Sequence, residues 1–266
     1  PSGMNIIGRY AQNHQIYFVS PLAPRVGVEN NTYQIVATAP VEMHTSRAAE
    51  FIGARLRPSS VVVVSTADDD ESKYISSFMK QMQAQAPSVP VKEVDVGSYG
   101  SNIAVLKEHL QAGRQNVLVV PSQRPTFWKI LFAYLDMLPD SYRYTILAHP
   151  GFAGAENIDM VKAEKYNVYV TSSGSAAHRQ QAGSGFYRSY RQKYGVPPSE
   201  YAAKGFDVAM YFGSALWNGR KNIAGELGKH YSGYQNEFEF VQTPSGFINK
   251  GVKILKVQDY EFVEQR

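Results

Sequence analysis

Four consecutive valines, Val61 to Val64, followed by Ser65, constrain this chain more than any other feature. A strand with no polar residue on either face has to be covered on both. That is the condition of a parallel sheet flanked by helices. The neighbouring sequence keeps the same rhythm. Residues 44–56 read as a helix before the valine strand, and 71–85 as one after it, with Tyr74, Ile75, Phe78, Met79 and Met82 on one face. Val91–Val96 is a strand, 102–112 a helix, Val117–Val120 a strand, 125–137 a helix opening at Pro125, and Tyr144–Ala148 a strand. Repeated βα units predict an α/β fold with a mostly parallel sheet and right-handed crossovers.

Outside this stretch the rhythm changes. Residues 3–13 read as a helix capped by Ser2, Ile16–Val19 as a strand ending at Ser20-Pro21, and Tyr33–Ala37 as extended. Residues 151–163 read as loop, Tyr166–Thr171 as a strand, and Ser172-Ser173-Gly174-Ser175 as a linker. Helices follow at 183–194, 200–217 and 221–229, and 235–263 reads as strands around a turn at Pro244-Ser245-Gly246.

Composition removes several functions. With no cysteine among 266 residues, disulfide scaffolds, thiol nucleophiles and cysteine-held metals are excluded. No apolar run is long enough to span a membrane as a helix. A net charge of +4 is mild, and its densest basic stretch (Arg179, Arg188, Arg191 and Lys193 beside Tyr187, Tyr190 and Tyr194) reads as a solvated amphipathic helix, so no nucleic-acid partner is expected. The six histidines show no metal-ligand spacing, and no hydrolase elbow, P-loop or dinucleotide fingerprint is present. The expectation is a protein without cofactor or metal, and not an enzyme.

Candidate binding residues gather at predicted strand ends, where open α/β sheets hold their ligands. They are Ser20, Leu22 and Ala23 after one strand, Asp69 and Asp70 after the valines, Ser122 and Gln123 before Arg124, and His149 and Phe152 after Tyr144–Ala148. The run Asp68-Asp69-Asp70-Glu71 has two readings that stay open: a helix cap with favourable dipole charges, or a site for an amine or cation. Trp128 and Asp207 read as structural.

Several segments together resemble the type I periplasmic binding proteins of the branched-chain amino-acid receptor group. They are Ile16-Tyr17-Phe18-Val19-Ser20-Pro21, Tyr33 to Pro40, the valine strand with its acidic turn, Tyr194-Gly195 with Gly205-Phe206-Asp207-Val208-Ala209 and Ala215-Leu216, and Gly246-Phe247 to Gly251-Val252. The resemblance implies two lobes of parallel sheet flanked by helices, closing on a ligand and joined by crossings near 36–41, 170–176 and 230–242. Residues 1–40 would be a remnant of lobe I with the first crossing, 41–170 lobe II, 171–235 the return to lobe I, and 236–266 C-terminal strands mainly of lobe II. Loops 20–24, 68–71, 122–124 and 149–152 would line one cleft facing 172–176. Against the family pattern the first lobe is incomplete, short by about a hundred residues, about one small domain. The amino-acid grip is also not kept: Leu22, Ala23 and Pro24 stand where hydroxyl residues would hold a carboxylate, and no acid stands near His149-Pro150.

The resemblance therefore implies a periplasmic or cell-envelope module that binds a small-molecule ligand derived from amino acids, peptides or cell wall. Its partner would be a membrane transporter or cell-wall components, as in modules linked to peptidoglycan-binding LysM repeats or regulating peptidoglycan synthases. A homodimer is also allowed. The effector domain of a transcription repressor shares the fold and is a further alternative.

Overall fold

The computed structural model describes residues 2–24, 28–174, 184–219 and 222–265. The Ser2 side chain, Ser175 and Arg179 singled out above lie outside the described residues, as do residues 176, 183 and 221 of the segments read above. In chain order the elements are α1 (Ser2–His14), β1 (Phe18–Ser20), β2 (Gln34–Val36), α2 (Val41–Phe51), β3 (Val61–Ser65), α3 (Asp69–Gln85), β4 (Val91–Asp95), β5 (Gln115–Val120), α4 (Pro125–Met137), β6 (Arg143–Ala148), α5 (Met160–Lys165) and β7 (Val168–Ser172). They continue with α6 (Gly185–Tyr194), α7 (Glu200–Gly219), β8 (Tyr231–Ser232), β9 (Glu237–Phe238), β10 (Phe240–Thr243), β11 (Gly246–Asn249), β12 (Lys253–Gln258) and β13 (Glu261–Gln265). No helix among the described residues is long and apolar enough to cross a membrane.

The chain divides into two compact units. Unit 1 is residues 1–43 with 173–252, and unit 2 is 44–172 with 253–266. Unit 2 holds a seven-stranded sheet in the order β13-β12-β7-β6-β5-β3-β4. From β4 to β7 every pairing is parallel, and β12 and β13 add an antiparallel edge. The valine strand lies inside this sheet, and none of its valines is more than 6% exposed. The outer strand β4 instead shows Lys92 and Glu93 to solvent, charges that discourage a further strand from pairing there.

Unit 1 holds a four-stranded sheet in the order β1-β2-β11-β10 and the small β8–β9 pair. Its core packs Ile35, Tyr211, Phe212, Leu227, Phe238, Phe240 and Phe247. The sequence reading placed the third crossing at 230–242 and 236–266 mainly in the second lobe. The structure corrects this: β11 pairs with β2, so residues up to Val252 stay in unit 1 and only β12–β13 belong to unit 2.

Three local expectations also differ. The helix read over 102–112 is a tight 3-10 segment at Ile103–His109, where Ile103 and Leu106 repeat at the three-residue period that a 3-10 turn eclipses. The loop read over 151–163 contains the start of α5, whose Asp159 cap accepts from Lys162 N at 3.0 Å. Of the helix read over 221–229 only a 3-10 turn at Ile223–Gly225 forms, punctuated by Gly225 and Gly228.

Two buried polar side chains organise unit 1. Asp207 is fully buried and accepts from the consecutive amides of Tyr234 (2.8 Å), Gln235 (2.6 Å) and Asn236 (2.8 Å). Gly233 passes so close to this carboxylate that a side chain there would collide with it. Asn249, also fully buried, donates to the carbonyls of Ala37 (2.9 Å) and Glu237 (2.7 Å) and accepts from Glu239 N (3.0 Å) and Gly251 N (2.9 Å). Both donors and both lone pairs of its amide are thereby used. Asn249→Asp removes the donors and turns an oxygen toward a carbonyl. It is expected to cost about 3 kcal/mol, seen as a lower urea midpoint with unchanged slope.

Candidate functional site

In unit 2 the chain runs from β3 outward to β4, then crosses back to β5 on the other side of β3. The loops after β3 and β5 therefore leave in opposite directions. This is the switch point at which open parallel sheets form a ligand crevice. A cavity of about 250 Å³ sits there, lined by Thr66, Ala67, Asp68, Asp69, Ser98 and Arg124.

Each wall has a local cause. Glu71, buried in the first turn of α3, accepts from Thr66 N at 2.8 Å and Thr66 Oγ1 at 2.6 Å. That tie turns the chain sharply after β3, and Ala67 takes φ 55° in the turn. Asp68 caps α3 by accepting from Asp70 N at 3.2 Å and also pairs with Arg124. The loop after β4 is built on Gly97 and Gly100, with Tyr99 between them at φ 55°. Gly100 lies against Phe127 and Ile130 of α4, which would meet a Cβ at 3.2–3.4 Å. Tyr99 lies under the Arg124 guanidinium, 4.8 Å from ring centroid to Cζ. The Asp68 charge is thus matched by Arg124, while Asp69 and Asp70 are exposed and their carboxylates have no partner among the described residues.

The predicted site residues fall into three groups. Asp69 lines the cavity and Asp70 follows it in the first turn of α3. Ser122, Gln123 and His149 stand at the ends of β5 and β6 as expected, but do not line this cavity. Ser122 is 1% exposed and its hydroxyl has no partner among the described residues, while its carbonyl accepts from Trp128 Nε1 at 3.0 Å. Phe152 is corrected to a core residue: it is 1% exposed and packs on Trp128 with ring centroids 4.4 Å apart. Ser20, Leu22 and Ala23 belong to unit 1, on the turn after β1. Ser20 is fully buried and its hydroxyl donates to Ala23 O at 3.1 Å, so it closes its own turn, while Leu22 is exposed.

The sequence reading missed Thr66 and Ser98, and had Arg124 only as part of the 122–124 loop. The available signal was Gly97-Ser98-Tyr99-Gly100 directly after a strand, a pattern that brings backbone close to a neighbour. The acidic run was a cap after all in Asp68, and Glu71 serves the turn rather than a ligand. Among the described residues no group of three or more His, Asp or Glu could hold a metal ion.

His149 caps the turn after β6. Its Nδ1 accepts from Gly151 N at 3.0 Å, which leaves the ring proton on Nε2. The ring lies 5.0 Å from that of Tyr74, and burial pulls its pKa down to about 4.

No protein-family model matches the chain, and no curated protein sequence matches it. Solved structures do. The chain aligns over 98% of its length with 77% of an ABC transporter substrate-binding protein from Desulfitobacterium hafniense in complex with Leu, at TM-score 0.66 and 15% identity. It aligns over 100% of its length with 75% of a branched chain amino acid ABC transporter from Thermus thermophilus with bound valine, at TM-score 0.60 and 17% identity. It aligns over 98% of its length with 50% of full-length LpoA from Haemophilus influenzae, at TM-score 0.59 and 16% identity. At these identities the likeness is one of fold, and the chain has the fold of type I periplasmic binding proteins.

The lowered pKa of His149 makes stability depend on pH. Above about pH 6.5 the ring is neutral in both states and adds nothing. Below that the unfolded chain takes up a proton that the folded chain refuses until about pH 4, so stability is lost as pH falls through this window, by at most about 3 kcal/mol. Urea titrations of His149→Gln between pH 7 and pH 4 should show a flatter decline than the parent chain.

Proposed function

We propose that this chain is a non-enzymatic, receptor-like module of the bacterial envelope that binds a small polar solute carrying an amine. The observation that carries the reading is the cavity at the switch point of unit 2, in a fold shared with substrate-binding proteins. Apart from Ala67, its walls are hydroxyls and charges. Arg124 already matches Asp68, so the negative charge left for a ligand is that of Asp69 and Asp70. An ammonium group suits that position, and the Thr66 and Ser98 hydroxyls supply neutral hydrogen bonds beside it. We assign a membrane transporter as the partner, on the likeness to substrate-binding proteins.

A second reading is a cell-wall-associated module that regulates an enzyme of the wall rather than delivering a solute. The likeness to LpoA over 98% of this chain favours it.

One screen separates the two. Thermal-shift measurements with amino acids, polyamines, short peptides and muropeptides should return an amine-bearing hit, because a ligand at 100 times its Kd adds about 2.7 kcal/mol of stability. Asp69→Asn should weaken that hit about tenfold, about 1.4 kcal/mol, without shifting the melting temperature of the free protein. A hit indifferent to Asp69→Asn, or no hit in the panel, would overturn the solute-receptor reading. Co-sedimentation with purified peptidoglycan in the absence of any soluble hit would establish the second.

A further inference from the structure

We propose that unit 2 carries a second binding site, for a single neutral sugar ring, at the end of its sheet opposite the switch point. The inference does not depend on the solute site. A cavity of about 270 Å³ opens where β5, β6 and β7 begin, beside the end of α4. That volume is just below the usual range for ligand pockets, about 300–1,000 Å³, so it suits one ring-sized molecule.

The lining points to the chemistry. Tyr142, Tyr144 and Tyr166 all contribute. Tyr166 is packed against Phe132 and donates to Asp136. Tyr142 is half-buried and its ring has no aromatic partner among the described residues, so a face is available for stacking. Tyr144 is 6% exposed, and its hydroxyl is buried with no partner among the described residues. Such a hydroxyl is costly to leave unpaired, and a ligand hydroxyl satisfies it.

Planar polar groups surround the rings. Gln115 uses its amide nitrogen on Thr145 Oγ1 (2.7 Å) and Asn167 uses its own on Tyr144 O (3.3 Å), and neither amide oxygen has a donor among the described residues. Arg143 supplies donors and Asp140 acceptors, neither side chain bonded to the protein among the described residues. The lining carries two cations, Arg143 and Lys165, and two anions, Asp136 and Asp140; Asp136 pairs with Lys165 at 2.6 Å and is also held at 2.7 Å by Lys162, which is not part of the lining. Aromatic faces, alternating donors and acceptors, and no excess charge match a molecule with an apolar face and a rim of hydroxyls. A pyranose ring has both, whereas an ammonium ion or a carboxylate would disturb the balance.

The test uses the full chain, labelled with ¹⁵N and followed by amide shifts. Methyl β-D-glucopyranoside and N-acetyl-D-glucosamine, each titrated to about 10 mM, ten times a Kd of about 1 mM, should move the amides of Gln115, Tyr142 and Asn167 saturably. Glycerol, which has hydroxyls but no apolar ring face, and benzyl alcohol, which has a ring but no hydroxyl array, should not. Tyr144→Phe should keep or raise the melting temperature, since its hydroxyl has no protein partner, yet weaken the sugar about tenfold. Tyr142→Ala should abolish the shifts, and Asp69→Asn should leave them intact. The proposal is overturned if neither sugar moves these amides, if benzyl alcohol moves them equally, or if Tyr144→Phe binds as the parent does. A failure of the solute site would instead appear only in the Asp69 variant.

Discussion

The side-chain amide of Asn249 is the interaction on which the architecture of unit 1 turns. Three stretches of chain pass between the units, after residues 43, 172 and 252. In unit 1 Asn249 bonds Ala37 at the end of β2, Glu237 in β9 and Gly251 just before the last passage. Glu237 N in turn donates to Ser173 O at 2.9 Å, immediately after the second passage. In unit 2 the corresponding ends also meet: His44 Nδ1 lies 3.0 Å from Thr171 Oγ1, and Ser172 pairs with Lys253 across β7 and β12. A single buried amide with all its bonds made thus ties together stretches far apart in sequence, which is what small polar groups in a core do when fully satisfied. Asp207 acts alike, holding the loop 234–236 whose Asn236 bridges to Gly174.

How much of this was legible follows from where the information lies. The middle of the seven-stranded sheet was readable because β3, β5 and β6 are buried on both faces and the helices bury one face each. Valines at 61–64 or Tyr74, Phe78 and Met82 on one stripe leave few alternatives. Unit 1 was harder. Its strands are two to four residues long, too short for a period to register, and β11 belongs with β2 through pairing rather than pattern. The third passage was placed too early for that reason.

The candidate site was legible as positions and not as partnerships. That polar residues follow strands is visible in the sequence. That Glu71 folds back on Thr66, that Arg124 takes up the Asp68 charge, and that Ser20 spends its hydroxyl on its own turn depend on backbone paths that residue types do not reveal. Phe152 shows the converse: an aromatic at a strand end looks available until Trp128 is seen across from it.

The placing of β12 has a consequence for how the chain comes into being. This strand lies between β7 and β13, yet it is made only after the whole second part of unit 1. During synthesis the sheet of unit 2 waits with β7 as an open edge, its backbone groups free to pair with whatever strand comes near. Unit 1 waits as well, because β11 must emerge before β2 gains its neighbour. Neither unit can be finished before the other is nearly complete, so the two mature together once β12 has emerged. Protection of the unfinished β7 edge from foreign strands is therefore a requirement this topology places on its surroundings.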